Sequence, residues 1–241
     1  LTARLLKLVN GPEYGFPSKI DTVSRAVSII GLRDLRDLIL SASAIENFST
    51  IPTEILNMVR YWRHSVYCGV VAQLLAEQCD VLHSERLFVA GLLHDIGKLV
   101  MAERIPEQVR QAINLSEEKN IFDFQAEQAV IGYDHAEVGG RLLRAWQMPD
   151  ALCEAVEFQH TPLKAEHALM ETCIVHIANA ITGQAEQGLD ADADMLVEPV
   201  AKEAWEITGL DESIIEPILL LAGPLFTEAL ESILPRSYQS Y

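Results

Sequence analysis

Apolar residues recur along this chain at helical spacing, and no alternating run reaches the length of a strand. Leu5, Leu6, Leu8 and Val9 open the pattern, which stops at Asn10-Gly11-Pro12. Tyr14 to Lys19 reads as a loop, Thr22 to Ile30 as a short helix closed by Gly31, and Leu32 to about Phe48 as a further helix. Pro52 opens a long helix from Glu54 to Gln78, with Val59, Val66, Val70 and Leu74 along its apolar face. His64 shares a stripe with Tyr67, Cys68, Val71 and Leu75, so it points inward.

The next segment is apolar all round. Leu87, Val89, Leu92, Leu93, Ile96, Leu99 and Val100 leave almost no solvent face, so 87–100 predicts one buried helix capped by Ser84. His94, Asp95 and Lys98 sit within it, with Lys98 four residues after His94 and three after Asp95. A carboxylate in such a helix needs a cation: either a metal, to which adjacent His and Asp each give one atom, or Lys98 as an ion-pair partner.

Pro106 restarts a helix to Lys119, and Ile121 to Ile131 carries another. Asp134-His-Ala-Glu137 reads as a capping box ahead of Val138, Leu142, Leu143 and Trp146, which puts His135 in a first helical turn. Gly139 and Gly140 point to close helix packing. Pro149 opens a helix to Phe158, and Glu166 to Thr182 carries His176 and Asn179. Gln184 to Asp194 is polar and acidic, the best loop candidate, before helices over Val197 to Ile207 and Glu212 to Ile233. The fold class is all-α. A small N-terminal helical lobe (1–50) precedes a larger helical domain (51–235) and a short tail (236–241).

Composition narrows the chemistry. The 241 residues are 49% hydrophobic and 22% charged, ordinary for a folded protein. The net charge of −17, with no run of Lys or Arg, argues against nucleic acid or an anionic membrane as partner. Cys68, Cys79, Cys153 and Cys173 form no CxxC pair, which suits reduced thiols in the cytoplasm. Ile214 to Phe226 reads as too short to span a bilayer and as broken by Pro217 and Pro224.

Seven histidines divide into two groups. His83 and His167 lie at polar helix starts and read as surface residues; His176 reads as a satisfied core histidine. His64, His94-Asp95, His135, His160 and then Asn179 form an ordered series on helix faces and helix ends. Helical bundles build metal sites from inward ligands on several helices in this manner. Imidazole and carboxylate donors suit iron, manganese, zinc or nickel.

This series resembles the signature of the HD phosphohydrolase superfamily, with His94-Asp-Ile-Gly-Lys98 the most telling string. The closer resemblance is to the HDOD family, the HD-related output domain of bacterial signalling proteins. Leu1 to Asn10, Thr22 to Leu40, His135-Ala-Glu-Val-Gly139 through Trp146 and Pro149, and Gln159-His-Thr-Pro162 carry it. It extends to about Ala180 and implies that the family's opening residues precede Leu1. It also implies an all-helical fold and a divalent-metal site. His64, His94, Asp95 and Asn179 would surround one position, and His135 and His160 a second position or the ligand. Lys98 would meet a phosphate oxygen.

Two departures bear on activity. Asn179 stands where the superfamily places its last metal-binding aspartate. Gln159-His160 supplies one histidine where the related HD-GYP phosphodiesterases carry two, and no Gly-Tyr-Pro follows. The leading expectation is therefore a non-catalytic or weakly catalytic signalling domain with a protein partner and a phosphate-bearing small ligand. The alternatives are a working metal-dependent phosphohydrolase, with Asp95 and Lys98 in catalytic roles, and a purely structural helical module.

Overall fold

The computed structural model describes residues 9, 20, 23–30, 51–189 and 196–233. These residues are predominantly helical, with no strand among them, as the periodicity predicts. The helices are α1 (Val23–Ile30), α2 (Met58–Gln78), α3 (Glu85–Leu93), α4 (Ile96–Arg104), α5 (Pro106–Lys119), α6 (Asp123–Ile131), α7 (His135–Ala145), α8 (Asp150–Glu157), α9 (Leu169–Leu189), α10 (Lys202–Thr208) and α11 (Ile215–Ile233). Short 3-10 turns occupy Pro162–Lys164 and Glu212–Ile214. The expected loop over 14–19, the helix from Leu32 to Phe48, the limits of the N-terminal lobe and the tail lie outside the described residues.

α2 is the central element. Asn57 starts it by accepting hydrogen bonds from the Val59 and Arg60 amides, both at 3.1 Å, so the helix begins after Asn57 rather than at Glu54. Trp62, Val66, Cys68, Val71 and Leu75 are fully enclosed, and α3, α9 and α11 pack around the helix.

Two glycine contacts set the spacing that matters for function. A Cβ on Gly91 of α3 would lie 2.7 Å from the Cys68 carbonyl oxygen and the Gly69 Cα of α2. One on Gly97 of α4 would lie 1.9 Å from the His135 carbonyl oxygen at the start of α7. Only glycine allows these backbones to meet, and side chains flanking each contact then converge.

The predicted single helix over 87–100 divides. α3 ends at Leu93 and α4 begins at Ile96, with His94 and Asp95 in the turn between them. The break leaves the His94 carbonyl outside the helical ladder, and the Gln159 side-chain amide donates to it at 2.8 Å. The Ser84 side chain makes no cap hydrogen bond.

Three later expectations also change. α9 continues to Leu189, so Gln184 to Leu189 is helix rather than loop. Residues 196–201 are not helical, so the helix expected from Val197 begins at Lys202. α11 runs through both prolines, which do not break it. Pro217 falls in the first turn, where its amide would have no partner, and Pro224 removes one hydrogen bond on an exposed flank. By length and composition alone, Glu212–Glu231 is enough to cross a bilayer. Ile218, Ala222, Ala229 and Leu230 of this segment are buried, while Leu220 and Leu221 are exposed.

Candidate metal centre

Four elements bring the predicted residues together. His64 comes from α2, His94 and Asp95 from the α3–α4 turn, His135 from the first turn of α7, and Asn179 from α9. His160 follows α8, in a turn pinned by His176. The His176 Nδ1–H donates to the Gln159 carbonyl at 2.7 Å, and its Nε2 accepts from the Ala201 amide at 3.0 Å. His176 is thus the satisfied core histidine the sequence suggests, and it holds the turn that carries His160. His83 and His167 are exposed.

Three of the cluster histidines, His94, His135 and His160, hydrogen-bond through Nδ1 to an acceptor outside the cluster, and the fourth, His64, turns Nδ1 towards a carboxylate. His94 Nδ1 lies 2.6 Å from the Gly91 carbonyl oxygen, and His64 Nδ1 lies 3.2 Å from Glu186 Oε2. His135 Nδ1 reaches Glu127 Oε2 at 2.7 Å, and His160 Nδ1 reaches Glu198 Oε2 at 2.7 Å. A carbonyl or carboxylate oxygen only accepts, so Nδ1 of His94, His135 and His160 carries a hydrogen, and a neutral ring held this way turns a bare Nε2 inward. His64 Nε2 lies 3.2 Å from His94 Nε2 and 3.2 Å from Asn179 Oδ1. His135 Nε2 lies 3.0 Å from His160 Nε2 and 3.1 Å from Asp95 Oδ1. Asp95 Oδ1 is buried and accepts no hydrogen bond from any described residue.

The electrostatics divide the cluster into two halves. Burial presses His94 down to about 4, helped by His64 and Lys98 against Asp95 and the Gly91 carbonyl, so its Nε2 is a lone pair at neutral pH. Burial also disfavours charge on Asp95, but Lys98, His94 and His135 outweigh it and hold the carboxyl well below the usual range. His135 is disfavoured as a cation by burial, yet the Glu127 and Asp95 carboxylates lift it to about 10. A charged His135 supplies the hydrogen shared with His160. In the other half His64 Nε2 faces both His94 Nε2 and Asn179 Oδ1, and the buried Asp95 carboxylate lies beside His94. Ligand atoms of His64, His94 and Asp95 all lie within 4.8 Å of one another. That donor set fits a divalent cation.

A cavity of about 670 Å³ opens in front of the cluster. Asp95, Lys98, His135, His160 and Asn179 line its floor, and Phe122 and Phe124 stand at one side. Phe124 stacks on His160 at 4.3 Å between ring centres. Lys98 is engaged on both sides, with its Nζ 2.9 Å from Asp95 Oδ2 and 3.6 Å from Asp123 Oδ2. Burial alone would weaken its charge, but the two carboxylates prevail and keep it protonated. The capping box at His135 is modified. Asp134 accepts the Glu137 amide at 2.9 Å as expected, while the Gln128 side-chain amide links the Asp134 and Glu137 carboxylates.

The sequence reading did not anticipate Glu127, Glu186, Glu198 or Gln159 as supports of this cluster. Glu186 lies two helical turns beyond Asn179 on α9, and ending that helix at Thr182 hid the shared stripe. Glu198 lies in the non-helical segment 196–201, where the sequence pattern had suggested a helix beginning at Val197.

Residues 1–162 match the HDOD domain family. The chain belongs to the HDOD family. An uncharacterised protein of Treponema pallidum (strain Nichols) is 28% identical to this HDOD chain over 161 residues. The match takes in 66% of the chain and 31% of the relative, so the chain spans about a third of that relative's length. An HDOD domain protein of unknown function from Geobacter sulfurreducens shares 25% identity, with a TM-score of 0.68 over 97% of this chain and 82% of its own. A protein of Shewanella amazonensis SB2B, provisionally named a phosphohydrolase, has a TM-score of 0.72 at 20% identity over 97% of this chain and 82% of its own. A protein of Marinobacter aquaeolei VT8, provisionally named a signal transduction protein, has a TM-score of 0.69 at 18% identity over 96% of this chain and 52% of its own. The last two likenesses concern the fold.

Proposed function

We propose that this HDOD chain is a cytoplasmic signalling domain whose cavity takes a divalent cation and a phosphate-bearing ligand, with little or no hydrolytic activity. The observation that carries the cation is the convergence of ligand atoms from His64, His94 and the buried Asp95 within 4.8 Å of one another. His64, His94 and Asp95 would hold the ion, with the Asn179 carbonyl as a neutral fourth donor. Iron, manganese, zinc or nickel suits imidazole and carboxylate donors. Such an ion supplies positive charge that can polarise a phosphoryl oxygen.

The residues of the chain speak for weak catalysis. Asn179 adds no negative charge to retain an ion. Lys98, the side chain best placed to meet developing charge, is shared between Asp95 and Asp123. Gln159 is buried and committed to the His94 carbonyl, so it does not replace a second histidine. The signalling reading also agrees with the name given to the Marinobacter aquaeolei protein of similar fold, and it implies a protein partner that senses the cavity.

A working phosphohydrolase is the second reading. The retention of four histidines with Asp95 and Lys98 around one cavity favours it, as does the name given to the Shewanella amazonensis protein. Metal content of protein purified without chelator tests the proposal. The expected result is less than one equivalent of a transition metal, rising on addition of manganese, iron or zinc and lost in Asp95→Ala. Absence of both resident metal and uptake would leave the cluster as a structural polar network.

A further inference from the structure

The four histidines have one arrangement in common, yet their Nδ1 partners are not equivalent. His94 is held by a backbone carbonyl, whereas His135 and His160 are held by the carboxylates of Glu127 and Glu198, and His64 Nδ1 faces the Glu186 carboxylate at an ion-pair distance of 3.2 Å. The three glutamates come from α9, α6 and the non-helical segment before α10, so three separate stretches of chain each bring a carboxylate to a histidine Nδ1. Their spacings from their histidines, 122, 8 and 38 residues, share no pattern. Glu127 is fixed further by accepting the His135 backbone amide at 2.8 Å.

We infer that Glu186, Glu127 and Glu198 are positioning residues of the metal centre, which aim the histidine Nε2 atoms inward and supply the anionic charge that Asn179 withholds. This inference rests on the metal reading above. A carboxylate accepting from Nδ1–H selects the tautomer with a bare Nε2 and makes that nitrogen a stronger donor to a cation. Free imidazole offers either nitrogen, so a ring without its carboxylate must be oriented when the ion binds. The Glu186–His64 pair matters most. His64 lies beside Asn179 at 3.2 Å, and Glu186 returns a negative charge from the same helix on the far side of that ring.

The test uses the whole chain with zinc in competition against a chromogenic chelator. Glu186→Ala, Glu127→Ala and Glu198→Ala should each weaken zinc binding roughly 10- to 100-fold. Glu186→Gln keeps an acceptor for Nδ1–H but loses the charge, so it should fall between wild type and Glu186→Ala. Glu203→Gln, on the exposed face of α10, should match wild type. Glu186 and Glu198 are partly exposed, so their variants should fold normally. A second readout follows the ring itself. Long-range ¹H–¹⁵N spectra of the metal-free protein at pH 8 should show His64 with its hydrogen on Nδ1, moving to Nε2 in Glu186→Ala.

Zinc affinities unchanged in all three alanine variants, with wild type binding zinc, would overturn the inference and leave the metal reading intact. If wild type takes up no zinc, the metal reading fails, and the tautomer of His64 alone decides the positioning role. A His64 ring indifferent to Glu186 would then refute it.

Discussion

His64 and His94 face each other through Nε2 atoms 3.2 Å apart, while the Gly91 carbonyl holds Nδ1 of His94 and the Glu186 carboxylate lies 3.2 Å from Nδ1 of His64. The His94 ring, buried and held through Nδ1, offers a bare Nε2 to its partner. Folding brings the two rings together, because Gly69 and Gly91 let α2 and α3 touch backbone to backbone. The close crossing of those helices therefore sets the two imidazoles nitrogen to nitrogen.

Asn179→Asp should strengthen metal binding at least tenfold, because it adds a charged oxygen beside His64. The same change places a second carboxylate near Asp95, so the metal-free protein should lose stability. The rise in melting temperature on adding zinc should then be larger than for wild type. Calorimetric scans with and without metal read both effects.

Gly97→Ala should be among the most damaging small substitutions in the chain. Its methyl would meet the His135 carbonyl oxygen at 1.9 Å, and backbone on both sides leaves nothing flexible to move. Overpacking of this kind costs about 1–3 kcal/mol and occasionally more, and here it also separates Asp95 from His135. Gly188→Ala provides the contrast. That glycine is helical with nothing within 4 Å of its Cβ position, so alanine should stabilise by about 0.5 kcal/mol. Urea denaturation of the two variants should give opposite signs.

Glu154 should make stability fall in acid. Burial raises its carboxyl, but the amides of His167 and Ala168, each donating at 2.9 Å, outweigh this and hold it below the ordinary value of 4.5. A carboxyl depressed in the folded state contributes fully above its unfolded value and loses that contribution as pH falls through the folded one. Glu154→Gln should therefore cost about 1 kcal/mol at pH 7. The gap from wild type should narrow steadily below pH 4.5, as urea titrations across that range would show.

The fold class was legible because helical spacing persists through the described residues from Met58 to Ile233, apart from the turns and the non-helical 196–201. The cluster was legible because His64, His94-Asp95, His135 and His160 each carry a local sign, such as an inward stripe or an N-terminal cap. The supports were not. Glu127, Glu186 and Glu198 are ordinary glutamates in polar surroundings, and only tertiary contact distinguishes them from the chain's many solvated carboxylates. The break at His94-Asp95 was invisible for a related reason. The apolar run continues through it, and the residue that satisfies the freed carbonyl, Gln159, lies 65 positions away.

The last prediction concerns the order of binding and the activity that follows. Five carboxylates line the cavity, Asp95, Glu117, Asp123, Glu186 and Glu198, against three cations, Arg60, Lys98 and the charged His135. A phosphate anion entering such a space meets net repulsion until a divalent ion reverses the local charge. Inorganic phosphate should therefore bind weakly without metal and at least tenfold more tightly with manganese or zinc present, as calorimetric titrations would register. Asp123→Asn should raise phosphate affinity further, because it releases Lys98 from its second carboxylate, 3.6 Å away. Hydrolysis needs more than binding: a firmly held ion and a cation free to meet developing charge. With Asn179 in the donor set and Lys98 shared between two aspartates, bis(p-nitrophenyl) phosphate with excess manganese should show at most slow turnover. Asn179→Asp combined with Asp123→Asn should raise that rate. Robust turnover by wild type that disappears in Asp95→Ala would make the chain a phosphohydrolase and displace the signalling reading.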